Sequence, residues 1–230
     1  MKKTLVVDIG GTNVKLMISR EEKRKFESGP KLTPKQIVKE IENTVEGWDY
    51  EAISIGFPST VRDGKILKDP KHLGSGWVDW NPRDSLGKPV RVINDAAMQA
   101  LGSYHDGGRM LFLGLGTGLG SALIWDNNLL PLELGDLPYP DVAKIEDITG
   151  KNGLEELGRK AWQREVTDIV TKLKLAFIAD YVVLGGGNAK QMSELPEAVE
   201  LGHNRNAYLG GARLWEIDPR TRQPKWRVID

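Results

Sequence analysis

The chain has no cysteine, no net excess of either charge and no long apolar run in its 230 residues. The absence of cysteine excludes disulfides and cysteine-ligated zinc, and it favours a reducing compartment, so we expect a cytoplasmic protein. Basic and acidic residues number 32 each, which predicts neither a nucleic-acid partner nor a membrane surface. The apolar run near the N-terminus, Leu5-Val6-Val7, is too short for a signal peptide or a membrane span.

Hydrophobic residues make up 40% of the chain and charged residues 28%, which is typical of a globular protein. The length suits one large domain or two small domains around a shared cleft. Hydrophobic periodicity predicts strands at residues 4–9, 14–19, 24–27, 52–57, 90–93, 110–115, 121–125, 128–134 and 181–184. It predicts helices that start after Thr33, over residues 96–104, over about 152–179 and over 206–215.

Local signals add detail between these elements. Thr33 and Gln36 form a capping box, and Asp63-Gly64 predicts a tight hairpin turn. Residues 69–88 are rich in glycine, proline and aspartate and predict one long loop. Trp77 in this loop is expected to cover the edge of a core rather than to stack on a ligand.

The first candidate site is a glycine turn between two predicted strands, where Asp8 is followed by Gly10, Gly11, Thr12 and Asn13. Paired glycines tolerate positive φ and let backbone N–H groups approach an anion closely. The aspartate would place a carboxylate near a metal-bound phosphate, and the threonine would add a hydroxyl donor. Gly-Gly turns also occur in ordinary hairpins, so the motif alone favours a phosphate loop without establishing it.

A second glycine turn, Gly116-Thr117-Gly118, also joins two predicted strands. Two such hairpins facing each other could clamp a phosphate chain between two domains, and the alternative is two unrelated turns. A third run, Gly185-Gly186-Gly187-Asn188, follows another strand. It could admit an adenine ring or a sugar, or it could serve close helix packing.

Asn94 and Asp95 end a predicted strand and begin a helix. Either residue is a normal helix N-cap, and without context capping is the plainer interpretation. A carboxylate at such a strand end can also accept the proton of a substrate hydroxyl during phosphoryl transfer.

In their order along the chain, these motifs resemble those of sugar kinases of the hexokinase/actin-like superfamily, and within it the ROK family, over residues 6 to about 216. The short length and the lack of cysteine are most similar to the polyphosphate/ATP glucokinase branch. The resemblance implies an α/β fold, the two-domain actin-like ATPase (ribonuclease H-like) fold with a central cleft. The expected domains are residues 1–105 and 106–230, with a helix at about 206–216 that packs back on the first domain.

The resemblance also implies roles for individual residues. Asp95 is implied as the base that deprotonates a sugar hydroxyl, and Asp8 as a carboxylate that reaches Mg²⁺ through water. The implied phosphate-binding residues are Asp8, Gly10, Gly11, Thr12, Asn13, Gly116, Thr117 and Gly118. The implied sugar-binding residues are Asn94, Asp95, Glu133 and Asp136, and the implied nucleotide-binding residues are Gly185, Gly186, Gly187 and Asn188.

Two departures from the family pattern bear on specificity. Many ROK proteins follow Glu-x-Gly with a histidine that binds zinc and sugar, whereas Asp136 occupies that place here. A carboxylate accepts hydrogen bonds but does not donate them, so Asp136 either accepts from a sugar hydroxyl or is solvated. The cysteine-rich zinc loop of the family is replaced by roughly residues 139–150, and we expect no zinc.

The expected activity is Mg²⁺-dependent transfer of a terminal phosphoryl group from ATP or polyphosphate to the 6-hydroxyl of a hexose, with glucose as the first candidate. A homodimer is expected only from the family. One alternative is a kinase for another sugar, an amino sugar or a small alcohol, which Asp136 keeps open. A non-catalytic sugar-binding regulator is disfavoured by the presence of Asp95, and a nucleotide or polyphosphate hydrolase is a weaker alternative.

Overall fold

The computed structural model describes residues 2–105, 107–203 and 206–229. In chain order the elements are β1 (Thr4–Ile9), β2 (Asn13–Met17), β3 (Lys23–Glu27), α1 (Pro34–Thr44), β4 (Ala52–Phe57), β5 (Val61–Arg62), β6 (Lys65–Ile66), α2 (Pro82–Leu86), β7 (Val90–Asn94), α3 (Asp95–Ser103), β8 (Met110–Leu115), β9 (Leu119–Trp125), β10 (Asn128–Leu132), α4 (Ile145–Thr149), α5 (Lys151–Ala176), β11 (Tyr181–Gly185), β12 (Val199–Leu201), α6 (Asn206–Arg213) and β13 (Arg227–Val228). None of the helices in the described part of the chain has the length and apolar character that a membrane span requires.

Two sheets repeat one strand order. The first runs β3-β2-β1-β4-β7 and the second runs β12-β11-β8-β9-β10-β13. In each, the first three strands along the chain pair antiparallel, a fourth joins parallel to the first of them, and a fifth joins parallel to the fourth. The second sheet also has β13 at its edge, parallel to β10. The first and second glycine turns each join the first two strands of their own sheet, whereas the third glycine run follows β11. The predicted repeat of architecture is therefore confirmed.

Side-chain alternation divides the interior into layers. On β1, Leu5, Val7 and Ile9 pack on the face covered by α1, whereas Val6 belongs to a core that both sheets share. Because successive strand residues point to opposite faces, Asp8 shares the face of Val6. On β8, Phe112 likewise joins the shared core, so Gly114 faces the same way. The two glycine turns thus begin beside the core that both sheets share, which we call the common space.

Helices α3 and α6 cross in that common space at glycine positions. A Cβ atom on Gly102 would overlap the carbonyl oxygen of Asn206, and one on Gly210 would overlap that of Met98. Helix α6 is also bound to the first sheet, because the Ser54 hydroxyl donates to the Gly211 carbonyl at 2.7 Å. The last helix of the chain therefore contacts the first sheet, while the division of the chain at residue 105 stays a prediction.

The predicted loop at residues 69–88 was wrong in part, because it contains the short helix α2. The side chain of Asn81 caps this helix by accepting from the N–H of Arg83 at 3.2 Å, and Gly87 ends it with φ of 62°. Trp77 is fully buried and packs its ring 5.1 Å from that of Phe57. The prediction that Trp77 covers a core edge is confirmed.

The single long helix predicted over about residues 152–179 was also wrong in part. Helix α4 precedes it, α5 ends at Ala176, and α5 is interrupted at Gly158, where φ is 71° and ψ is 158°. Two short strands were not predicted: β12 pairs with β11, and β13 turns part of the tail into a partner of β10. Both strands depend on pairing with residues distant in the chain, which hydrophobic periodicity does not report.

Candidate active site

At the start of α3, one residue caps the helix and the next one supplies the carboxylate. The Asn94 side-chain oxygen accepts from the N–H groups of Ala96 at 2.9 Å and Ala97 at 3.2 Å, so Asn94 is the N-cap. Its amide also donates to the Ser59 carbonyl at 3.3 Å. Asp95 is the first residue of the helix and accepts from Ala96 N–H at 2.8 Å. Capping therefore does not account for the aspartate.

The start of α3 lies against both sheets. A Cβ atom on Gly56 would lie 3.3 Å from the Cα of Asp95, and Gly56 is the register partner of Asp8. On the other side, a Cβ atom on Gly120 would lie 2.7 Å from the Cβ of Ala96. Glycine on both strands lets the start of the helix approach closely, and Asp95 lies there near the charges of Asp8 and Glu133.

Asp8 lies at the start of the first turn and is buried. Its register partner across the hairpin, Lys15, forms an ion pair with it at 3.5 Å. Burial raises the pKa of Asp8, and the charge of Lys15 opposes that shift. The turn is closed by the Gly10 N–H, which donates to the Asn13 carbonyl at 3.0 Å, while Gly11 and Thr12 are exposed. Lys15 is a neighbour of Asp8 that the sequence analysis did not identify.

The second turn has one open and one covered glycine. A side chain on Gly116 would meet nothing within 4 Å, whereas one on Gly118 would overlap the carboxylate of Glu146. Thr117 is exposed, and its carbonyl accepts from the N–H of Lys151 at 3.3 Å, where α5 begins. The backbone of this turn is therefore held by a hydrogen bond from the first residue of α5.

Packing accounts for two residues of the third glycine run. A Cβ atom on Gly185 would overlap the ring of Phe112, and one on Gly186 would overlap the Leu115 carbonyl. Gly187 has open space around it. Asn188 ties this run to the second turn, since its amide donates to the Gly116 carbonyl at 2.9 Å. The packing interpretation thus explains Gly185 and Gly186, and a nucleotide-binding role stays a prediction for the whole run.

The two predicted sugar-side acids, Glu133 and Asp136, follow directly after β10. Glu133 accepts from the hydroxyl of Thr60, which lies in the loop between β4 and β5, at 3.3 Å, and burial raises the pKa of Glu133. Asp136 is exposed and pairs with Lys144 at 3.0 Å, which lowers the pKa of Asp136. Asp136 therefore remains an ionised acceptor, and its contact with sugar stays a prediction.

Two lysines converge on an acid that the sequence analysis missed. Glu146 on α4 pairs through one oxygen with Lys144 at 2.5 Å and with Lys71 at 3.1 Å. Although burial acts to raise the pKa of Glu146, the two ammonium groups outweigh it and the pKa is lowered. Lys71 and Glu146 are 75 positions apart in sequence, so no local pattern could have paired them.

Electrostatics distinguish Asp95 from the other acids. Burial raises its pKa to about 7, and the negative charges of Asp8 and Glu133 act in the same direction. The N–H group of Ala96 opposes this shift. A carboxylate with such a pKa is well matched to proton transfer near neutral pH.

The raised pKa of Asp95 predicts a pH-dependent stability. Between the ordinary value of 3.8 and about 7, the folded protein keeps a proton that the unfolded chain has released. The free energy of unfolding therefore falls as the pH rises through this window, by at most about 1.4 kcal/mol per pH unit. Asp95→Asn removes this contribution, so its stability relative to wild type should increase across the window and level off above it. Urea unfolding of both proteins without Mg²⁺ checks this, and a difference independent of pH would contradict it.

The donor set can be compared with the needs of a metal. The described residues contain no group of three or more His, Cys, Asp or Glu side chains that could hold a metal ion. Mg²⁺ commonly takes one or two carboxylates together with substrate phosphates and water. Asp8, a carboxylate beside a glycine turn, fits a Mg²⁺ ion that arrives with a phosphate donor.

Solved structures share this fold. The inorganic polyphosphate/ATP-glucomannokinase of Arthrobacter sp. strain KM matches with a TM-score of 0.77 and 23% identity, over 92% of this chain and 97% of that one. A ROK family glucokinase from Streptomyces griseus, solved in complex with glucose and AMPPNP, matches with a TM-score of 0.67 and 20% identity, over 92% and 98% of the two chains. The predicted α/β actin-like ATPase fold is confirmed.

Two of the sequence relatives are polyphosphate glucokinases. The polyphosphate glucokinase of Mycobacterium leprae (strain TN) is 26% identical over 207 residues, which cover 80% of this chain and 63% of the relative's length. That of Mycobacterium tuberculosis (strain CDC 1551 / Oshkosh) is 24% identical over 210 residues, which cover 80% and 77%. The family model for ROK matches residues 4–131, more than half of the chain. This protein therefore belongs to the ROK family.

Proposed function

We propose that this protein is a Mg²⁺-dependent sugar kinase, which transfers a terminal phosphoryl group from ATP or polyphosphate to the 6-hydroxyl of a hexose, with glucose as the principal acceptor. The observation that carries the proposal is the place of Asp95. It begins a helix seated on both sheets, and each sheet bears a glycine turn between its first two strands. The polyphosphate glucokinases among the relatives support the same activity.

In this proposal Asp95 accepts the proton of the sugar hydroxyl as that oxygen attacks the terminal phosphorus. Phosphoryl transfer has a loose transition state, so the base mainly orients the hydroxyl and takes its proton late. A pKa of about 7 leaves much of Asp95 ionised at neutral pH while it keeps enough basicity to take the proton.

The phosphates of the donor would lie between the two turns. The backbone N–H groups of Gly11, Thr12 and Thr117 lie in exposed parts of the two turns and could face an anion, whereas the Gly116 N–H already donates to the Gly118 carbonyl at 3.1 Å. Asp8 would hold Mg²⁺ through water, and the ion supplies positive charge that stabilises the phosphate oxygens when it is bound. Positioning and charge stabilisation are the main contributions that a protein makes to this reaction.

The sugar would occupy the acidic side of the cleft. Glu133, which the Thr60 hydroxyl contacts from the loop after β4, and Asn94 beside Asp95 are the proposed hydroxyl ligands. Asp136 offers a further acceptor, but its pairing with Lys144 changes the chemistry from that of a histidine. For this reason mannose and amino sugars belong in the test beside glucose.

The decisive experiment is a matrix of donors and acceptors, with and without Mg²⁺. The donors are ATP and polyphosphate, and the acceptors are glucose, mannose, N-acetylmannosamine and glycerol. We expect sugar 6-phosphate only with Mg²⁺ and fastest with glucose. Phosphate release that does not depend on added sugar would indicate a hydrolase, and sugar binding without transfer from either donor would indicate a regulator.

Three further expectations belong to the same proposal: a cytoplasmic location, a homodimer and two domains that meet near residue 105. Light scattering of the purified protein measures the oligomeric state. Limited proteolysis with and without donor and sugar tests whether the chain is cut near the proposed domain boundary.

A further inference from the structure

Lys71 reaches from one glycine turn to the other. It lies in the segment between β6 and α2, where the next residue, His72, packs on the first turn: a Cβ atom on Gly11 would lie 3.2 Å from that of His72. Its ammonium group pairs at 3.1 Å with Glu146, whose other carboxylate oxygen lies against Gly118 of the second turn. The Lys71 ammonium group therefore lies between the two loops that the proposed function assigns to the donor.

We propose that Lys71 is a donor-binding residue, whose ammonium group contacts the oligophosphate chain held between the two glycine turns. The inference rests on the proposed kinase function and adds to it a specific cation outside both glycine motifs. ATP and inorganic polyphosphate share this oligophosphate chemistry. A lysine ammonium is a compact point charge without strict directional demands, so it suits either chain.

The charges around Glu146 allow this change of partner. Two ammonium groups, those of Lys71 and Lys144, share one oxygen of Glu146. Lys144 has a second partner in Asp136 and its side chain is 27% exposed, whereas the Lys71 side chain is 62% exposed. If the Lys71 ammonium group moves to a phosphate, the Glu146 carboxylate still has its ion pair with Lys144. Because the Lys71 side chain is mostly exposed and Glu146 keeps a second cationic partner, the exchange of Glu146 for a phosphate costs little.

Equilibrium binding tests the inference without any turnover. The probes are AMPPNP and inorganic tripolyphosphate, each with Mg²⁺, titrated calorimetrically into the full-length protein. Lys71→Met should weaken binding by about tenfold, because a hydrogen bond to a charged group is lost. Lys71→Arg should retain most of the affinity. Lys39→Met, an exposed lysine on α1, is the matched control and should change nothing.

A double-mutant cycle separates a direct contact from an indirect one. Removing Lys71 leaves more negative charge on Glu146 beside Gly118, and that charge alone could repel a phosphate. The effect of Lys71→Met is therefore measured again in a Glu146→Gln background. A similar loss in both backgrounds supports direct contact, and disappearance of the loss in the Gln background overturns it. Circular dichroism and thermal unfolding confirm that each variant is folded.

The outcomes distinguish this inference from the proposed function. A loss for both probes assigns Lys71 to the shared phosphate chain, and a loss for tripolyphosphate alone assigns it to the inorganic donor. Unchanged affinity for both probes overturns the inference even if wild type phosphorylates sugar. If wild type binds the probes and transfers nothing to any sugar, the proposed function fails while the effect of Lys71→Met on binding still decides this inference. Failure of wild type to bind either probe overturns both.

Discussion

Asp95→Asn is expected to lower kcat for sugar phosphorylation by about a hundredfold to ten-thousandfold, the usual contribution of a general base. Asparagine has nearly the same shape, and its side-chain oxygen can still accept from the Ala96 N–H that Asp95 contacts at 2.8 Å. It cannot take a proton at neutral pH. Because the cap on α3 comes from Asn94, the helix itself should be unaffected. Coupled steady-state assays with saturating donor and sugar measure the effect.

The matched control for this variant is Asp79→Asn, an exposed aspartate in the segment before α2. Its kcat should equal that of wild type. Equilibrium binding of sugar and donor should be close to wild type in both variants, since only proton acceptance is removed from Asp95. Near-normal turnover of Asp95→Asn would show that another group takes the proton.

Gly210→Ala is expected to lower the free energy of unfolding by about 3 kcal/mol, the upper part of the range for overpacking. The new methyl group would overlap the backbone carbonyl of Met98, which cannot rotate away as a side chain could. Alanine would favour the helical backbone by about 1 kcal/mol over glycine, so the steric cost must exceed this gain. Since Met98 lies one turn after Asp95 on α3, displacement of the helix should also lower kcat. Urea unfolding and kinetic assays measure the two effects.

Gly187→Ala is the control for packing, because a methyl group there would meet nothing within 4 Å. Its free energy of unfolding should change by less than about 0.5 kcal/mol, as for a typical surface substitution. If Gly210→Ala were as stable as wild type, the close crossing of α3 and α6 would not be a constraint on the fold.

Local signals in the sequence were sufficient for several elements. The capping box before α1 forms, with Gln36 accepting from the Thr33 N–H at 2.9 Å. The Asp63-Gly64 turn forms between β5 and β6 with positive φ at both residues, 49° and 71°. These features depend on a few adjacent residues, whose backbone preferences are properties of the residue types themselves. The succession of three glycine motifs and Asn94-Asp95 likewise led to the correct family.

The sequence by itself thus determined the family, most strands and the order of the candidate site motifs, since each is written in neighbouring residues. Only the tertiary structure brought Thr60 to Glu133 and Lys71 to Glu146, pairs that are 73 and 75 positions apart. The raised pKa of Asp95 was decided in the same way, because it depends on burial and on charges from β1 and from the segment after β10. Contacts of this kind form between segments that only the folded chain brings together, and no short segment of the chain contains both partners.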